Sequence, residues 1–299
     1  MKLLIDGDSI LYRVAFRGEE LGDESVIVDD VCDDDGMGGL EEIAPEYAFS
    51  GDHKIHLPSS FEAVEYSIES MAHAVILDFI ADDDITIDGI EIHMTGKPGR
   101  EHCEGLKHNF RIDYVDDYKA DRKESRPPAG LKELWSHIFS ITEIDGLPVE
   151  VYVADGAEAD DTVVFQKKMH PDKYVVCALD KDVLYQSVGR HYNYGKQEFV
   201  TVTAEEAQKY LFFQMINGDP SDGYKGVPGV GKVGANKALA NLTTDKEMWD
   251  VTLALFKKKG LGLGEALQTG ILASMHQVTS VRYEGNRIIP EVAIFKAIK

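Results

Sequence analysis

Positive charge is what this 299-residue sequence is short of: 31 Lys and Arg stand against 53 Asp and Glu, a formal net charge of −22. A uniformly basic face that coats nucleic acid or an anionic membrane is therefore excluded, and any phosphate contact has to be local. Cysteine is scarce as well. Cys32, Cys103 and Cys177 are odd in number and far apart, which makes neither a disulfide framework nor a zinc pattern. They read as incidental thiols of a reducing compartment. There is no long hydrophobic run either: the best stretch, residues 72–80, is broken by His73 and Asp78 and is far too short to span a bilayer. Residues 2–5 run straight into Asp6, so no signal-peptide pattern opens the sequence. Internal repeats and Pro-rich linkers are missing, which predicts one domain with a C-terminal elaboration. With 43% hydrophobic residues the chain can still bury a sizeable core, and it reads as a soluble intracellular protein.

What the sequence does have is apolar runs that end in acid. Residues 2–5 lead into Asp6-Gly7-Asp8-Ser9 and read as a buried strand delivering a loop to the surface. Residues 10–16 begin a helix. Residues 17–58 lose periodicity and fill with acid, including Asp33-Asp34-Asp35, and read as a solvated insertion without regular structure. After Ser59-Ser60, Phe61, Val64, Ile68, Met71, Ala72, Val75 and Phe79 recur at helical spacing. Gly89–Thr95 and residues 174–179 are further strands, and residues 131–139 and 160–168 are helical. Strands alternating with helices predict an α/β fold around a mostly parallel sheet, with its site beyond the carboxyl ends of the strands.

Carboxylates gather at those ends. Asp6 and Asp8 follow the first strand, and Asp180 and Asp182 follow the run at 174–179. Glu158-Ala-Asp160-Asp161 opens a helix, with Glu158 and Asp161 at i and i+3 on one face. Asp219 and Asp222 stand in Gly-Asp-Pro-Ser-Asp-Gly. Each pair alone is more often a turn or a cap than a ligand. Converging, they would put nine carboxylates in one site, which cannot stay ionised together without cations. Oxygen donors without a His or Cys pattern point to Mg²⁺, with Mn²⁺ able to substitute. Two such ions roughly 4 Å apart suit the attacking and leaving oxygens of a phosphodiester.

The most specific segment is Gly226-Val-Pro-Gly229-Val-Gly231-Lys232-Val-Gly234, set between helical runs at 207–217 and 233–239. Its glycines permit close backbone approach, and its N–H groups and helix N-terminus suit a phosphate without net positive charge. Lys225, Lys232 and Lys237 add local base. An ordinary helix–helix turn is the plainer reading. A P-loop is excluded, because Lys232 is followed by Val233 rather than Ser or Thr. Arg100, Lys107, Arg111, Lys119, Arg122, Lys123 and Arg126 form a second local concentration of base.

Taken in order, these segments resemble the 5′-nuclease family: flap endonucleases, the 5′-nuclease domain of bacterial DNA polymerase I and phage 5′–3′ exonucleases. Asp6-Gly-Asp-Ser-Ile, Asn109-Phe-Arg111 with Tyr118-Lys119-Ala-Asp-Arg122, Glu158-Ala-Asp160-Asp161, Asp180-Lys-Asp182 and Gly218-Asp219-Pro-Ser-Asp222 with its glycine hairpin carry the resemblance, over roughly residues 1–16 and 90–240. It implies a PIN-like nuclease core over 1–206, with the insertion at 17–58 and an arch region at about 97–130. A helix–three-turn–helix and a C-terminal helical region over 207–299 would pack with that core as one unit. The activity implied is that of a monomeric, Mg²⁺-dependent 5′–3′ exonuclease and flap endonuclease of DNA replication, in the cytoplasm of a bacterium or a phage-infected host. Its partners would be 5′ flaps, duplex 5′ ends and RNA primers. Asp6, Glu158 and Asp160, with Asp8 beside them, would hold the first metal; Asp161, Asp180, Asp182 and Asp219 or Asp222 the second. Lys119 and Arg122 would stabilise charge on the scissile phosphate. Arg111, Tyr118, Lys225, Gly226, Gly229, Gly231, Lys232 and Lys237 would contact DNA, with K⁺ at the hairpin.

One position departs from the family pattern. Where many members carry a metal-binding aspartate after the second strand, this sequence reads Met94-Thr95-Gly96-Lys97. A DNA-binding protein with weakened chemistry is therefore the alternative reading. A phosphatase using Asp6 as nucleophile is a third, and it leaves the glycine hairpin unexplained.

Overall fold

The computed structural model describes residues 1–21, 46–79, 86–97, 100–115, 118–119 and 126–298. The expectations for Cys32, residues 33–35, Arg122 and Lys123 fall outside them. Strand β1 (Lys2–Asp6) runs into α1 (Gly7–Gly18), and β2 (Glu20–Leu21), β3 (Tyr47–Ser50) and β4 (His53–His56) form a small antiparallel sheet before α2 (Leu57–Phe79). Then come β5 (Gly89–Thr95), α3 (Leu131–Ser140), β6 (Glu143–Ile144), β7 (Leu147–Ala154) and α4 (Ala159–Met169). Next are β8 (Tyr174–Ala178), α5 (Lys181–Gln186), and the antiparallel pair β9 (Gly189–Asn193) and β10 (Glu198–Val202). Helix α6 (Ala204–Asn217), the short pair β11 (Gly218–Asp219) and β12 (Tyr224–Lys225), α7 (Lys232–Leu239), α8 (Asp245–Lys258) and α9 (Leu263–Ala273) follow, and β13 (Val278–Glu284) and β14 (Arg287–Val292) come last.

The main sheet runs β10-β9-β8-β1-β5-β7-β14-β13, with β6 attached to β7. Its centre is parallel, and among the described residues the antiparallel pairs are β10 with β9, β13 with β14 and β6 with β7. Strand β1 is apolar on both faces because helices cover both. Leu3 and Ile5 pack with Ile10, Val64, Ile68, Leu134 and Trp135 from α1, α2 and α3. Leu4 packs with Val163, Val164 and Leu184 from α4 and α5. A third cluster, around Phe212, Met215, Trp249 and Phe256, holds α6 to α9 together and takes in Val115. Cys103 and Cys177 are buried free thiols. Among the described residues no helix is long and apolar enough to cross a membrane.

Two sequence expectations need correction. The stretch at 17–58 is not wholly irregular: α1 reaches Gly18, β3 and β4 form a hairpin, and α2 begins at Leu57. Strands of four residues are too short to show a period. The C-terminal region is not all helical either. Strands β13 and β14 return to the main sheet, where Arg287 and Ile288 pair with Val153 and Ala154 of β7.

The chain steps from β1 to β5 to β7 in one direction, then crosses back to lay β8 on the other side of β1. The crevice beyond the carboxyl ends of β1 and β8 is thus the topological switch point of the sheet. Asp6 and Asp180 stand on its two sides.

The glycine loop is closed by backbone contact. Val227 N–H donates to the Ile216 carbonyl at 2.8 Å, and Gly218 has φ +75° against Gly226. A Cβ on Gly226 would overlap Gly218 N and the Ile216 carbonyl, whereas one on Gly231 would meet nothing within 4 Å. Gly226→Ala is expected to cost at least about 2 kcal/mol in urea unfolding. Gly231→Ala should cost less than about 1 kcal/mol.

Candidate active site

The closely spaced acids of the sequence are helix caps. Asp6 caps α1 and accepts the Asp8 N–H at 3.2 Å; Asp180 caps α5 and accepts the Asp182 N–H at 2.7 Å. Glu158 caps α4, where Asp161 reciprocally accepts the Glu158 N–H at 3.2 Å. The spacing that reads as capping is also the spacing that turns two carboxylates to one end of the sheet. Asp8 reaches sideways to the end of β5 and accepts the Thr95 N–H at 3.2 Å, while Thr95 Oγ1 accepts the Ala159 N–H at 2.9 Å.

These groups feel one another. Burial, then Asp8 and Asp180, push Asp6 up to about 8. Burial, then Asp6, Asp180 and Glu158, hold Asp160 well above the usual carboxylate range. Asp8 is also raised, because burial outweighs the attraction of Lys97. Burial, then Asp180, bring Asp182 to about 6, and Asp222 adds to it. Asp8, Asp6, Asp160, Asp180, Asp182 and Asp222 thus form one linked row of like charges across the switch point. Asp182, Asp219 and Asp222 each offer an oxygen within 4.8 Å of the others, a spacing and donor chemistry that fit a hard divalent cation. The Tyr224 hydroxyl is buried without a partner among the described residues, in the field of Asp182 and Asp219.

Among the described residues, Lys119, Arg111 and Lys181 make ion pairs with these acids. Lys119 Nζ donates to Glu158 Oε1 at 2.6 Å and lies 3.8 Å from Asp222, so it bridges the crevice. Tyr118 OH donates to Glu158 Oε2 at 2.7 Å. Burial alone would raise Glu158, but Lys119 and then Arg111 pull it down to about 2. Lys181 pairs with Asp219 and sits 3.2 Å from Asp182. Against the pull of burial, Lys181 and Ser221 keep Asp219 below its ordinary value.

Eight of the nine acids named from the sequence meet here; Asp161 does not. Its two oxygens accept a bidentate pair from Arg111 at 2.6 and 2.7 Å, and both side chains are fully buried. Arg111 also donates to the Ser274 carbonyl at 2.9 Å. The expectation that Arg111 faces DNA is therefore corrected: it is a buried strut that fixes the start of α4 against the segment after α9. Tyr118 is likewise turned inward onto Glu158. Lys225, Gly229, Gly231, Lys232 and Lys237 are exposed along the hairpin and α7, with Gly226 half-buried at its base. The sequence reading missed Thr95 and Lys181. Lys181 had a signal, standing between two named aspartates; Thr95 had none, because its N–H is what matters. At Gly96 an added Cβ would overlap the Ala154 carbonyl and Leu106, so this backbone has no room there for a carboxylate side chain.

Two expectations follow from the electrostatics. Asp6 titrates from about 4 in the unfolded chain to about 8 in the fold, so across that window the unfolded state gives up the proton that the fold retains. In chelator, the melting temperature should fall as pH rises through this window, and Asp6→Asn should flatten the fall. Glu158 acts oppositely and lower, its contribution being lost only as pH drops from about 4 toward about 2. Removing one partner of the buried ion pair, as in Arg111→Ala, should cost about 3–5 kcal/mol in urea unfolding. A paired Arg111→Met and Asp161→Leu exchange should recover most of that loss.

No family model matches the sequence. Relatives are found among nucleases. The chain is 27% identical over 193 residues to a 5′-3′ exonuclease of Mycobacterium tuberculosis, covering 55% of this chain and 59% of that protein. It is 30% identical over 135 residues to the exodeoxyribonuclease of Enterobacteria phage T3, covering 41% of each. The chain thus spans about half the length of the curated relatives it matches. The T5 D15 protein co-crystallized with metal ions superposes with a TM-score of 0.56 at 12% identity, over 92% of this chain and 89% of that one. The bacteriophage T5 D15 flap endonuclease in a complex with DNA and metal ions gives 0.54 at 13% identity, over 92% and 89%. Along part of its length the chain is similar in sequence to proteins named 5′–3′ exonuclease and exodeoxyribonuclease, and along nearly all of it the fold is that of the T5 5′-nuclease structures.

Proposed function

We propose that the protein is a 5′–3′ exonuclease and flap endonuclease that hydrolyses DNA phosphodiesters with two divalent cations, Mg²⁺ in the first place. It would work in DNA replication in the cytoplasm of a bacterium or a phage-infected cell, with residues 1–206 and 207–299 acting as one unit. The observation that carries this reading is the row of linked carboxylates at the switch point, with Asp182, Asp219 and Asp222 within 4.8 Å of one another. Asp6, Asp8, Glu158 and Asp160 would hold one cation, and Asp180, Asp182, Asp219 and Asp222 the other. Bound there, the cations would neutralise the clustered charge and polarise the scissile phosphate.

The chain's own residues do the rest. Lys119, poised between Glu158 and Asp222, turns its ammonium onto the scissile phosphate when substrate enters. Tyr118 and Arg111 keep Glu158 ionised and aimed into the crevice while Lys119 is engaged elsewhere. The glycine loop with Lys225, Lys232 and Lys237 grips the duplex backbone as a helix–three-turn–helix, by N–H groups and local charge. Asp8 supplies a carboxylate at the end of β5, where the stretch Met94-Thr95-Gly96-Lys97 has none, which weighs against the reading as a binding protein with crippled chemistry.

Cleavage of a 5′-labelled double-flap DNA tests the proposal. Wild type should release product near the junction with Mg²⁺ or Mn²⁺ and none with EDTA. Asp160→Asn should cut at least about a hundredfold more slowly, and yet melt at a higher temperature in chelator, because the amide stays neutral at every pH whereas burial and like charges oppose ionisation of Asp160. Tight flap binding by both proteins with no cleavage by either would refute the nuclease and favour the binding protein.

A further inference from the structure

Beside the acidic crevice lies a groove of about 610 Å³ between α5, β10, α6 and α7; Lys181 and Lys232 stand at its borders, but none of these roles uses its aromatic wall. Three aromatic rings stand in file along it. Tyr185 and Tyr210 have centroids 5.2 Å apart with planes 39° apart, and Tyr210 and Phe213 are 5.9 Å apart at 26°. All three are partly exposed to the groove. Tyr210 and Phe213 share a face of α6 at i and i+3, and Tyr185 joins them from α5.

The groove connects the two features that bear on phosphate. On one side the hydroxyl of Tyr210, the middle ring, donates to Asp182 at 3.2 Å, so the ring file borders the carboxylate row. Lys232 and Asn236 stand on α7, directly after the glycine loop. Lys232 is exposed and has no ionic partner among the described residues. Lys209, on the wall, pairs with the exposed Glu205 at 2.7 Å, an i,i+4 surface pair that a phosphate can displace at little cost. Glu206, the acid on the wall, already accepts from Thr203. On a chain of net charge −22, lysines along an aromatic file are a local exception to the prevailing sign.

We propose that this groove binds an unpaired stretch of DNA, with bases stacked on Tyr185, Tyr210 and Phe213 and phosphates on Lys209 and Lys232. Stacking rings along a strip of positive charge are how proteins hold single strands irrespective of sequence, because every base offers a π face. An apolar protein segment would fill the ring file but leave the lysines without counter-charge. The proposal rests on the nuclease reading for the route by which a strand arrives: between the carboxylates and the glycine loop.

The 299-residue protein in Ca²⁺ is titrated into a short dye-labelled oligothymidylate, and into the same strand carrying 2-aminopurine. Tyr185→Leu and Phe213→Leu, which keep apolar volume but remove the ring, should each weaken binding by roughly fivefold or more. They should also abolish the stacking-induced quenching of 2-aminopurine, with melting temperature and binding to a blunt duplex unchanged. Lys232→Gln should weaken binding and reduce its salt dependence. Oligonucleotide binding and quenching equal to wild type in both leucine variants would overturn the groove, including the case in which it receives a protein segment. The flap assay is read separately. If wild type cuts while the leucine variants bind unpaired strand normally, the groove fails and the nuclease stands; if wild type never cuts but binds unpaired strand through the rings, the reverse holds.

Discussion

Everything near the switch point answers to one constraint: carboxylates are held closer together, and drier, than their mutual repulsion allows. Asp6 and Asp160 respond by retaining protons far above the ordinary carboxylate range. Such a cluster persists only where the rest of the fold over-determines it. Here that comes from buried strands that fix where each loop begins, and from helix caps that fix where each carboxylate points. Repulsion is thereby stored in a rigid frame, where a bound cation can relieve it.

Arg111, Lys119 and Lys181 have different tasks because of their burial. Arg111 is fully enclosed and spends both arms on Asp161, so it positions α4 and cannot respond to a ligand. Lys119 and Lys181 keep some exposure and touch acids on opposite sides of the crevice. An ammonium on a flexible stem can let go of a carboxylate; a bidentate guanidinium in a dry pocket cannot. The same sequence neighbourhood therefore supplies a fixed strut and a movable charge eight residues apart.

Much of this was legible in the sequence, for identifiable reasons. Apolar runs ending in Asp-x-Asp locate strand ends, because a buried parallel strand needs continuous hydrophobicity and the following helix needs a cap. The glycine spacing at 226–231 marks backbone contact, and Gly226 does meet Gly218. What could not be read were pairings that join distant segments. Arg111 lies among other bases and looks like one of a surface group; only folding brings it to Asp161, fifty positions on. Strands β13 and β14 carry Arg282, Glu284 and Arg287 on a sheet edge, so their composition gives no sign of joining a central sheet. The short β3 and β4 offer too few residues for a period to emerge.

The end of β5 shows how close backbone packing can aim a side chain of a neighbouring element. Gly96 sits against the Ala154 carbonyl and Leu106, and its N–H bonds that carbonyl at 3.1 Å. The strand therefore closes onto β7 more tightly than a side chain at this position would permit. Closing it brings Thr95 between α1 and α4, its N–H on Asp8 and its hydroxyl on Ala159. A side chain at position 96 would have to open that seam, whereas glycine leaves the backbone amide of Thr95 on Asp8, in the first turn of α1. The crevice has an acid at this corner, supplied by α1 and aimed by the end of β5. The tight seam at Gly96 and the sideways reach of Asp8 meet at Thr95, whose N–H and hydroxyl tie α1 and α4 to the end of β5.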